Sequence, residues 1–220
     1  MSQLFNPSHR ALQDEFGTRT LADKIEEIAC NPFVGEHEKA FIESRDMVFL
    51  ATVDTDGFPT VSYKGGDPGF VRVIDETTIA FPSYDGNGMC LSIGNIAARG
   101  DVGLLFIDFE KPHRLRVQGS AELSRDPALL TLFKEAELVA KITVRAVFQN
   151  CPRYVHRYDK VAPSRYVPRA ESDTPLATWK RTDDIQDFLP ARDAARVEAA
   201  GGEIPTEQWI GMIVSGDPEA

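Results

Sequence analysis

Apolar and polar residues alternate along much of the chain between residues 46 and 148. The clearest case is 113–123, where Leu115, Val117 and Ala121 alternate with polar residues. A period of two is typical of a strand that has one face in a core. Segments with this alternation, or with a short apolar run, are predicted as strands at 46–53, 58–63, 70–74, 78–81, 102–109, 113–123 and 142–148.

Short turns separate most of the predicted strands. The run Asp54-Thr55-Asp56-Gly57 is typical of a hairpin turn, because Asp and Gly tolerate the dihedral angles that tight turns need. Short links favour antiparallel pairing, since parallel strands need long crossovers. The segment 102–109 (VGLLFIDF) is almost entirely apolar, so we expect it to be buried on both faces.

Helices are predicted at 21–30, 36–45, 89–99 and 126–135, and residues 1–20 are predicted to be irregular. Six or more antiparallel strands with helices at their ends indicate an α+β fold built on a small β-barrel.

The pattern changes after residue 157, where six of the fourteen prolines lie and only 192–200 has helical character. We therefore predict an N-terminal helical arm (1–35), a barrel domain (36–158) and a C-terminal extension (159–220). The extension is expected to pack on the barrel or on a partner subunit, because its apolar periodicity is too weak for a core of its own.

Composition narrows the class of protein. The 220 residues are 42% hydrophobic and 26% charged, which is ordinary for a soluble globular protein. A net charge of −10 argues against general nucleic-acid binding, which needs a basic face. The chain has no apolar run long enough for a membrane helix and no secretory signal at its start, so we expect a cytoplasmic protein.

The sequence does not predict a metal site or a redox-active thiol site. The three cysteines, Cys30, Cys90 and Cys151, are far apart and lack the spacing of a zinc or redox motif. We expect reduced and mostly buried thiols. The four histidines are also scattered, so no metal site is predicted.

Basic and hydroxyl side chains recur on the predicted strands of this acidic protein. Ser62 and Lys64 lie two apart and share a face, and Arg72 follows on the next strand. Such pairs usually only contact water. A second row on one strand face consists of Arg114, Arg116 and Gln118. Together these groups indicate a cradle for a flat, phosphorylated ligand, with Ser62 and Lys64 at the phosphate and the arginines near the ring.

A Gly86-Asn87-Gly88 turn lies where a strand is predicted to end and a helix to begin. Free N–H groups at a helix start attract anions, and glycine lets a phosphate come close. The alternative is that Asn87 simply caps the helix. The turn is not a dinucleotide-binding fingerprint, because Leu91 occupies the place of the third glycine and no parallel βαβ unit is predicted.

Residues from about 36 to 157 resemble the pyridoxamine 5'-phosphate oxidase-like family of FMN-binding split-barrel proteins. The resemblance lies in FLATVDTDGFPTVSYKGG, GFVRVIDETTIAFPSYDGNG, LSIGNIAARGDVGLLFIDF, RLRVQGSAEL and CPRYVHR. It implies a split β-barrel and a homodimer with two FMN sites at the subunit interface, and no membrane or nucleic-acid partner. The cofactor-binding residues that it implies are Ser62, Lys64, Arg72, Phe81, Pro82, Gly86, Asn87, Asn95, Arg114, Arg116 and Gln118.

The sequence departs from the oxidase pattern at two places. Gly86-Asn87-Gly88 replaces a Ser-Arg-Lys-like phosphate cluster, and the oxidase's C-terminal substrate contacts match nothing after Arg157. We therefore predict an FMN-dependent oxidoreductase of unknown small-molecule substrate. A deazaflavin-dependent reductase and a non-catalytic flavin-binding or storage module remain as alternatives. No catalytic residue is named, and Tyr154, His156 and Arg157 are candidates for the mouth of the site.

Overall fold

A computed structural model describes residues 2–220 and contains one antiparallel sheet. Within these residues the sheet has eight strands, which are β1 (Cys30–Asn31), β2 (Met47–Val53), β3 (Pro59–Gly65), β4 (Arg72–Asp75), β5 (Thr78–Ser83), β6 (Asp101–Asp108), β7 (His113–Ser124) and β8 (Leu138–Gln149). Their order is β3-β2-β6-β7-β8-β5-β4, and β1 pairs with β8 beside this path. The predicted antiparallel α+β architecture is confirmed.

Along the chain, helices lie before, between and after the strands of the sheet. Within residues 2–220 the α-helices are α1 (Pro7–Glu15), α2 (Arg19–Ala29), α3 (Glu36–Glu43), α4 (Leu91–Ala98), α5 (Pro127–Leu130), α6 (Ala191–Ala199) and α7 (Thr206–Ser215). Two 3₁₀-helices, Thr178–Arg181 and Asp183–Phe188, precede α6. None of the helices in this part of the chain has the length and apolar character that crossing a membrane requires.

The prediction that residues 1–20 are irregular is wrong, because α1 forms there. Asn6 caps this helix by accepting a hydrogen bond from the His9 N–H at 3.0 Å, and the His9 side chain accepts one from the Asn6 N–H. Pro7 occupies the first helical position, where its fixed φ is favourable. Helix α7, which was also missed, ends at Gly216 in a left-handed conformation (φ 72°).

Strand β6 shows how the core is arranged. Val102, Leu104 and Phe106 are buried, whereas Gly103, Leu105 and Ile107 are only half-buried. The prediction that this strand is buried on both faces is therefore wrong for the single chain. Because side chains alternate along a strand, the sheet has an inner face toward the core and an outer face that carries Leu105.

Other element boundaries move from their predicted positions. Helix α4 begins at Leu91 rather than 89, and α5 ends at Leu130 rather than 135. Strand β8 begins at Leu138, four residues before the predicted start at 142. The longer β8 reaches both β5 and β7, so it joins the two halves of the sheet.

A β-bulge interrupts the pairing of β7 with β8. Gln118 pairs with Ala146 and Gly119 pairs with Val144, so Arg145 has no partner on β7. A Cβ atom on Gly119 would lie 2.4 Å from the Thr143 carbonyl oxygen. Close approach of two backbones therefore requires glycine at this position.

The described chain divides into two compact units, residues 2–160 and 161–220. The second unit contains buried Leu176, Val197 and Ile204, together with a buried ion pair between Lys180 and Asp193. It therefore has more regular structure than the single helix that the sequence predicts there.

The cysteines are free in the described part of the chain, but the prediction that they are mostly buried is wrong. Cys30 is half-buried, and Cys90 and Cys151 are exposed.

Candidate functional site

Strand β3 places two predicted site residues on the inner face of the sheet. Ser62 pairs with Leu50 of β2, and Lys64 pairs with Val48. Val48 and Leu50 are both completely buried, so the Ser62 and Lys64 side chains project from the same face as the core. Both are half-buried, because β3 is an edge strand of the sheet.

Lys64 is held against the start of α4. Its Nζ donates a hydrogen bond to the Ser92 Oγ at 2.8 Å, and Ser92 is only 5% exposed. No carboxylate within residues 2–220 lies at ion-pair distance from this ammonium. Burial lowers the pKa of Lys64, as expected for a cation partly removed from water.

Hydroxyl and amide groups surround this lysine on the same face. The Asn95 Nδ2 of α4 donates to the Thr52 Oγ1 at 3.1 Å and lies 3.5 Å from the Thr60 Oγ1. The two threonine hydroxyls are 2.9 Å apart across β2 and β3. We call this group the Lys64 cluster, and its members are Thr52, Thr60, Ser62, Lys64, Ser92 and Asn95.

Three members of this cluster were not among the predicted site residues: Thr52, Thr60 and Ser92. A signal existed for two of them. Thr60 precedes Ser62 and Lys64 at the same spacing of two, and Ser92 lies three residues before Asn95, on the same face of a helix.

The sequence predicts that helix α4 begins at the Gly86–Gly88 turn. In the structure the turn lies before the helix, which begins at Leu91. Asn87 Oδ1 accepts a hydrogen bond from the Met89 N–H at 3.1 Å and therefore does not cap α4. Cys90 takes the capping position in a left-handed conformation (φ 53°) and makes no side-chain capping bond. The turn is exposed, and the uncapped start of α4 presents its free N–H groups beside Lys64.

Three other predicted site residues lie on β4 and β5, which are not elements of the Lys64 cluster. Arg72 is exposed at the start of β4, with its guanidinium beside Gly69. The Phe81 side chain is completely buried in the core, and Pro82 is also buried. Only backbone atoms of Phe81 could therefore face a ligand.

The row on β7 lies on the opposite face of the sheet. Arg114 pairs with Ile107, Arg116 with Leu105 and Gln118 with Gly103, and all three therefore project from the outer face. Arg114 Nε donates to the Cys151 carbonyl oxygen at 3.0 Å. A single chain does not bring this row and the Lys64 cluster together.

The candidates for the mouth of the site lie on a segment that crosses the turn between β6 and β7. Arg157 Nε donates to the Glu110 carbonyl oxygen at 3.1 Å, and the Tyr158 N–H donates to the Phe109 carbonyl oxygen at 3.1 Å. Tyr154 and His156 are exposed on this segment. They are therefore accessible, but neither contacts the Lys64 cluster.

Comparison with known protein families gives a match to the pyridoxamine 5'-phosphate oxidase family model over residues 34–171. The chain belongs to the pyridoxamine 5'-phosphate oxidase family. This membership confirms the resemblance seen in the sequence and the predicted split-barrel fold class.

Several solved structures are similar to this member of the family. A pyridoxamine 5'-phosphate oxidase candidate from Lactobacillus delbrueckii is 25% identical, with a TM-score of 0.44 over 54% of this chain and 95% of its own. The Group A Streptococcus protein HupZ is 20% identical (TM-score 0.45, covering 57% and 99%). An FMN-binding protein from Syntrophomonas wolfei is 11% identical (TM-score 0.43, covering 64% and 97%). No curated protein matches the sequence.

Proposed function

We propose that this protein binds FMN and acts in the cytoplasm as an oxidoreductase on a small-molecule substrate. The observation that carries the proposal is the Lys64 ammonium, which is half-buried, bonded to a hydroxyl and without a carboxylate partner within residues 2–220. Buried cations are normally paired, because desolvation of an unpaired charge is costly. A phosphate group would supply the missing negative charge.

The residues of the Lys64 cluster suit a phosphate in charge and in hydrogen bonding. Lys64 would contribute a charge-assisted hydrogen bond, and the Ser62 hydroxyl would donate a second bond from the same strand face. The free N–H groups at the start of α4 add a positive partial charge on the same side. Asn95 would keep the helix in place through its bond to Thr52.

The two-sided arrangement of the predicted site residues favours a homodimer. Arg114 and Arg116 project from the outer face, whereas Ser62 and Lys64 project from the inner face. One ligand could contact both groups only if the arginines came from a second copy of the chain. We therefore propose that each cofactor lies between two subunits.

A bound flavin supplies hydride acceptance and return. The protein would contribute the position of the cofactor and the electrostatic environment of its ring. Arg114, whose guanidinium is oriented by the Cys151 carbonyl group, would stabilise negative charge near the ring. We assign no general base, and His156 is the titrating side chain that we would replace first.

Two alternative functions make different predictions. A deazaflavin cofactor could use the same phosphate contacts, but its absorption lies near the violet and lacks the blue band of a flavin. A storage or sensing module would bind the flavin without turnover in the presence of NAD(P)H and candidate substrates.

The first experiment is an absorbance spectrum and a mass measurement of the ligand that co-purifies with the native protein. We expect a yellow protein that releases FMN. A violet-absorbing ligand would support the deazaflavin alternative, and a colourless protein that ignores added FMN would overturn the proposal.

A substitution then tests the site itself. Lys64→Ala should weaken FMN binding by about 10- to 100-fold, because one charge-assisted hydrogen bond is lost. The matched control is Lys111→Ala, which removes an exposed lysine at the turn between β6 and β7. Equal FMN affinity in Lys64→Ala and wild type would remove Lys64 from the site.

A further inference from the structure

We propose that Ser92 is a positioning residue, which holds the Lys64 ammonium in place for the phosphate of the cofactor. The inference rests on the proposed function, and Ser92 acts through Lys64 rather than on the reacting part of the cofactor. The contact is direct, because the Lys64 Nζ donates a hydrogen bond to the Ser92 Oγ at 2.8 Å. It joins the edge strand β3 to helix α4.

Helix capping does not explain a serine at position 92. Ser92 is the second residue of α4, and Cys90 occupies the capping position. Within residues 2–220 the Ser92 side chain has one hydrogen-bond partner, which is Lys64 and not a backbone N–H group of the helix. Serine is also less favourable than alanine inside a helix. The contact with Lys64 is therefore the feature that accounts for this hydroxyl.

The packing of α4 keeps the Ser92 hydroxyl at a fixed place. Ser92 is only 5% exposed, and Ile96, one turn further along the same face of the helix, belongs to the core. Asn95 adds a polar tether, because its Nδ2 donates to the Thr52 Oγ1 of β2 at 3.1 Å. A hydroxyl held in this way is a rigid acceptor for a side chain that approaches from β3.

Lys64 needs such an anchor more than most residues of the sheet. It lies on an edge strand and has a long, flexible side chain, and such a lysine normally extends its ammonium into water. The bond to Ser92 keeps the ammonium half-buried on the inner face instead. We therefore infer that the lysine is already ordered before the cofactor binds.

A neutral anchor suits a lysine that binds an anion. An ordered ammonium loses less conformational freedom when a phosphate arrives, which favours binding. A carboxylate would also order the lysine, but it would pair with the charge and compete with the phosphate. The Ser92 hydroxyl orders the side chain and leaves its positive charge available.

The first test uses the full chain without ligand. Proton–nitrogen correlation spectra detect lysine ammonium groups whose protons exchange slowly with water, and hydrogen bonding and burial both slow this exchange. We expect a Lys64 ammonium signal in wild type, identified by its absence from Lys64→Arg. Ser92→Ala should lose the signal, and Ser92→Thr, which keeps a hydroxyl, should retain it. Ser215→Ala removes a hydroxyl from another helix and is the matched control.

The second test is a double-mutant cycle with FMN as the ligand. Ser92→Ala should weaken FMN binding by about 3- to 10-fold, because the lysine must then be ordered during binding. In the Lys64→Ala background the same substitution should have no further effect, since Ser92 acts only through Lys64. A merely structural role of Ser92 would instead weaken binding equally in both backgrounds. Ser92→Thr should bind FMN as wild type does.

The outcomes separate this inference from the proposed function. A Lys64 ammonium signal that persists in Ser92→Ala would overturn the positioning role, and so would additive effects in the cycle. If wild type binds no FMN but the ammonium signal depends on Ser92 as expected, the positioning role stands and the proposed cofactor is wrong. Circular dichroism of each variant would show that the fold is retained.

Discussion

Lys64 is the residue at which the energetics of the site are clearest. Its ammonium donates one hydrogen bond to the buried Ser92 hydroxyl oxygen, and this single neutral acceptor replaces only part of the hydration that a half-buried cation loses. The uncapped start of α4 adds further positive potential nearby. The arrangement is unfavourable for the protein alone and favourable when an anion is bound.

The pH dependence of FMN binding follows from this lysine. Because burial lowers the pKa of Lys64 below its ordinary value of 10.5, the ammonium loses its proton at a lower pH than an exposed lysine does. FMN affinity should therefore fall as the pH rises through the lowered pKa. The stability of the ligand-free protein should have the opposite pH dependence. Between the lowered pKa and 10.5 the unfolded state binds more protons at Lys64 than the folded state does, so the free energy of unfolding should rise with pH.

Fluorescence titrations of FMN at a series of alkaline pH values would check this expectation. Lys64→Arg is the matched variant, because arginine keeps its charge throughout the range and also corrects for titration of the ligand itself. Parallel pH profiles for wild type and Lys64→Arg would contradict the role of Lys64.

Residue patterns in the sequence could predict part of the Lys64 cluster but not the separation of the site into two faces. The spacing of two makes Ser62 and Lys64 neighbours on one strand face, and it does the same for Arg114 and Arg116. Which face of the sheet each pair occupies depends on strand register. Register is decided by long-range pairing that a local pattern does not contain.

At the scale of elements, strand β6 shows the clearest difference in burial between the inner and the outer face of the sheet. Leu104 is 2% exposed and belongs to the core, and its neighbour Leu105 lies half-buried on the outer face. In the sequence VGLLFIDF the outer-face positions Gly103, Leu105 and Ile107 carry no polar side chain that would mark this face. An apolar outer row is what a strand would have if a second subunit covered it.

Adjacent leucines provide a matched pair of substitutions. Leu104→Asp should prevent folding, because it places an unpaired charge in the core. Leu105→Asp should leave the chain folded and weaken its self-association. Circular dichroism and sedimentation would separate the two results. A folded Leu104→Asp protein would mean that the core has been assigned to the wrong face.

The sequence predicted which segments form helices and strands better than it predicted the residues at which these elements begin and end. The alternation in β7 and the Asp-Gly turn before β3 were sufficient for these elements, because both signals are local. The start of α4 was not predictable from Gly86–Gly88, since Cys90 adopts a left-handed conformation that its residue type does not favour. Helix α1 could have been predicted from Asn6 and Pro7, which are a capping residue and a favoured first residue.

At the scale of the whole molecule, residues 161–220 form a unit that contains a buried ion pair. Lys180 Nζ lies 2.8 Å from Asp193 Oδ2, and the two side chains are 3% and 4% exposed. Arg181 Nε also donates to the Gly202 carbonyl oxygen at 2.7 Å. These contacts join segments that are distant in sequence, so no local pattern in this proline-rich region predicts them.

Removing one partner of the ion pair should destabilise this unit. Asp193→Ala should lower its free energy of unfolding by about 3–5 kcal/mol, because it removes the Asp193 carboxylate that contacts the buried Lys180 ammonium. Amide hydrogen exchange should then increase in 161–220 more than in 2–160. Asp187→Ala, at an exposed position, is the control and should leave exchange unchanged. Equal exchange in Asp193→Ala and wild type would show that the ion pair contributes nothing to stability.

The order of the strands also has a consequence for folding kinetics. Strands β6, β7 and β8 are consecutive both in sequence and in the sheet. The pairs β2–β3 and β4–β5 are also consecutive in sequence, whereas β2 reaches β6, and β5 reaches β8, across intervening strands. Local contacts close with less loss of chain entropy, so we expect the β6–β7–β8 meander to form first. Val117→Ala in β7 should then mainly slow folding, and Val48→Ala in β2 should mainly speed unfolding. The edge of the sheet that carries Lys64 would be the last part of the barrel to form and the first to open.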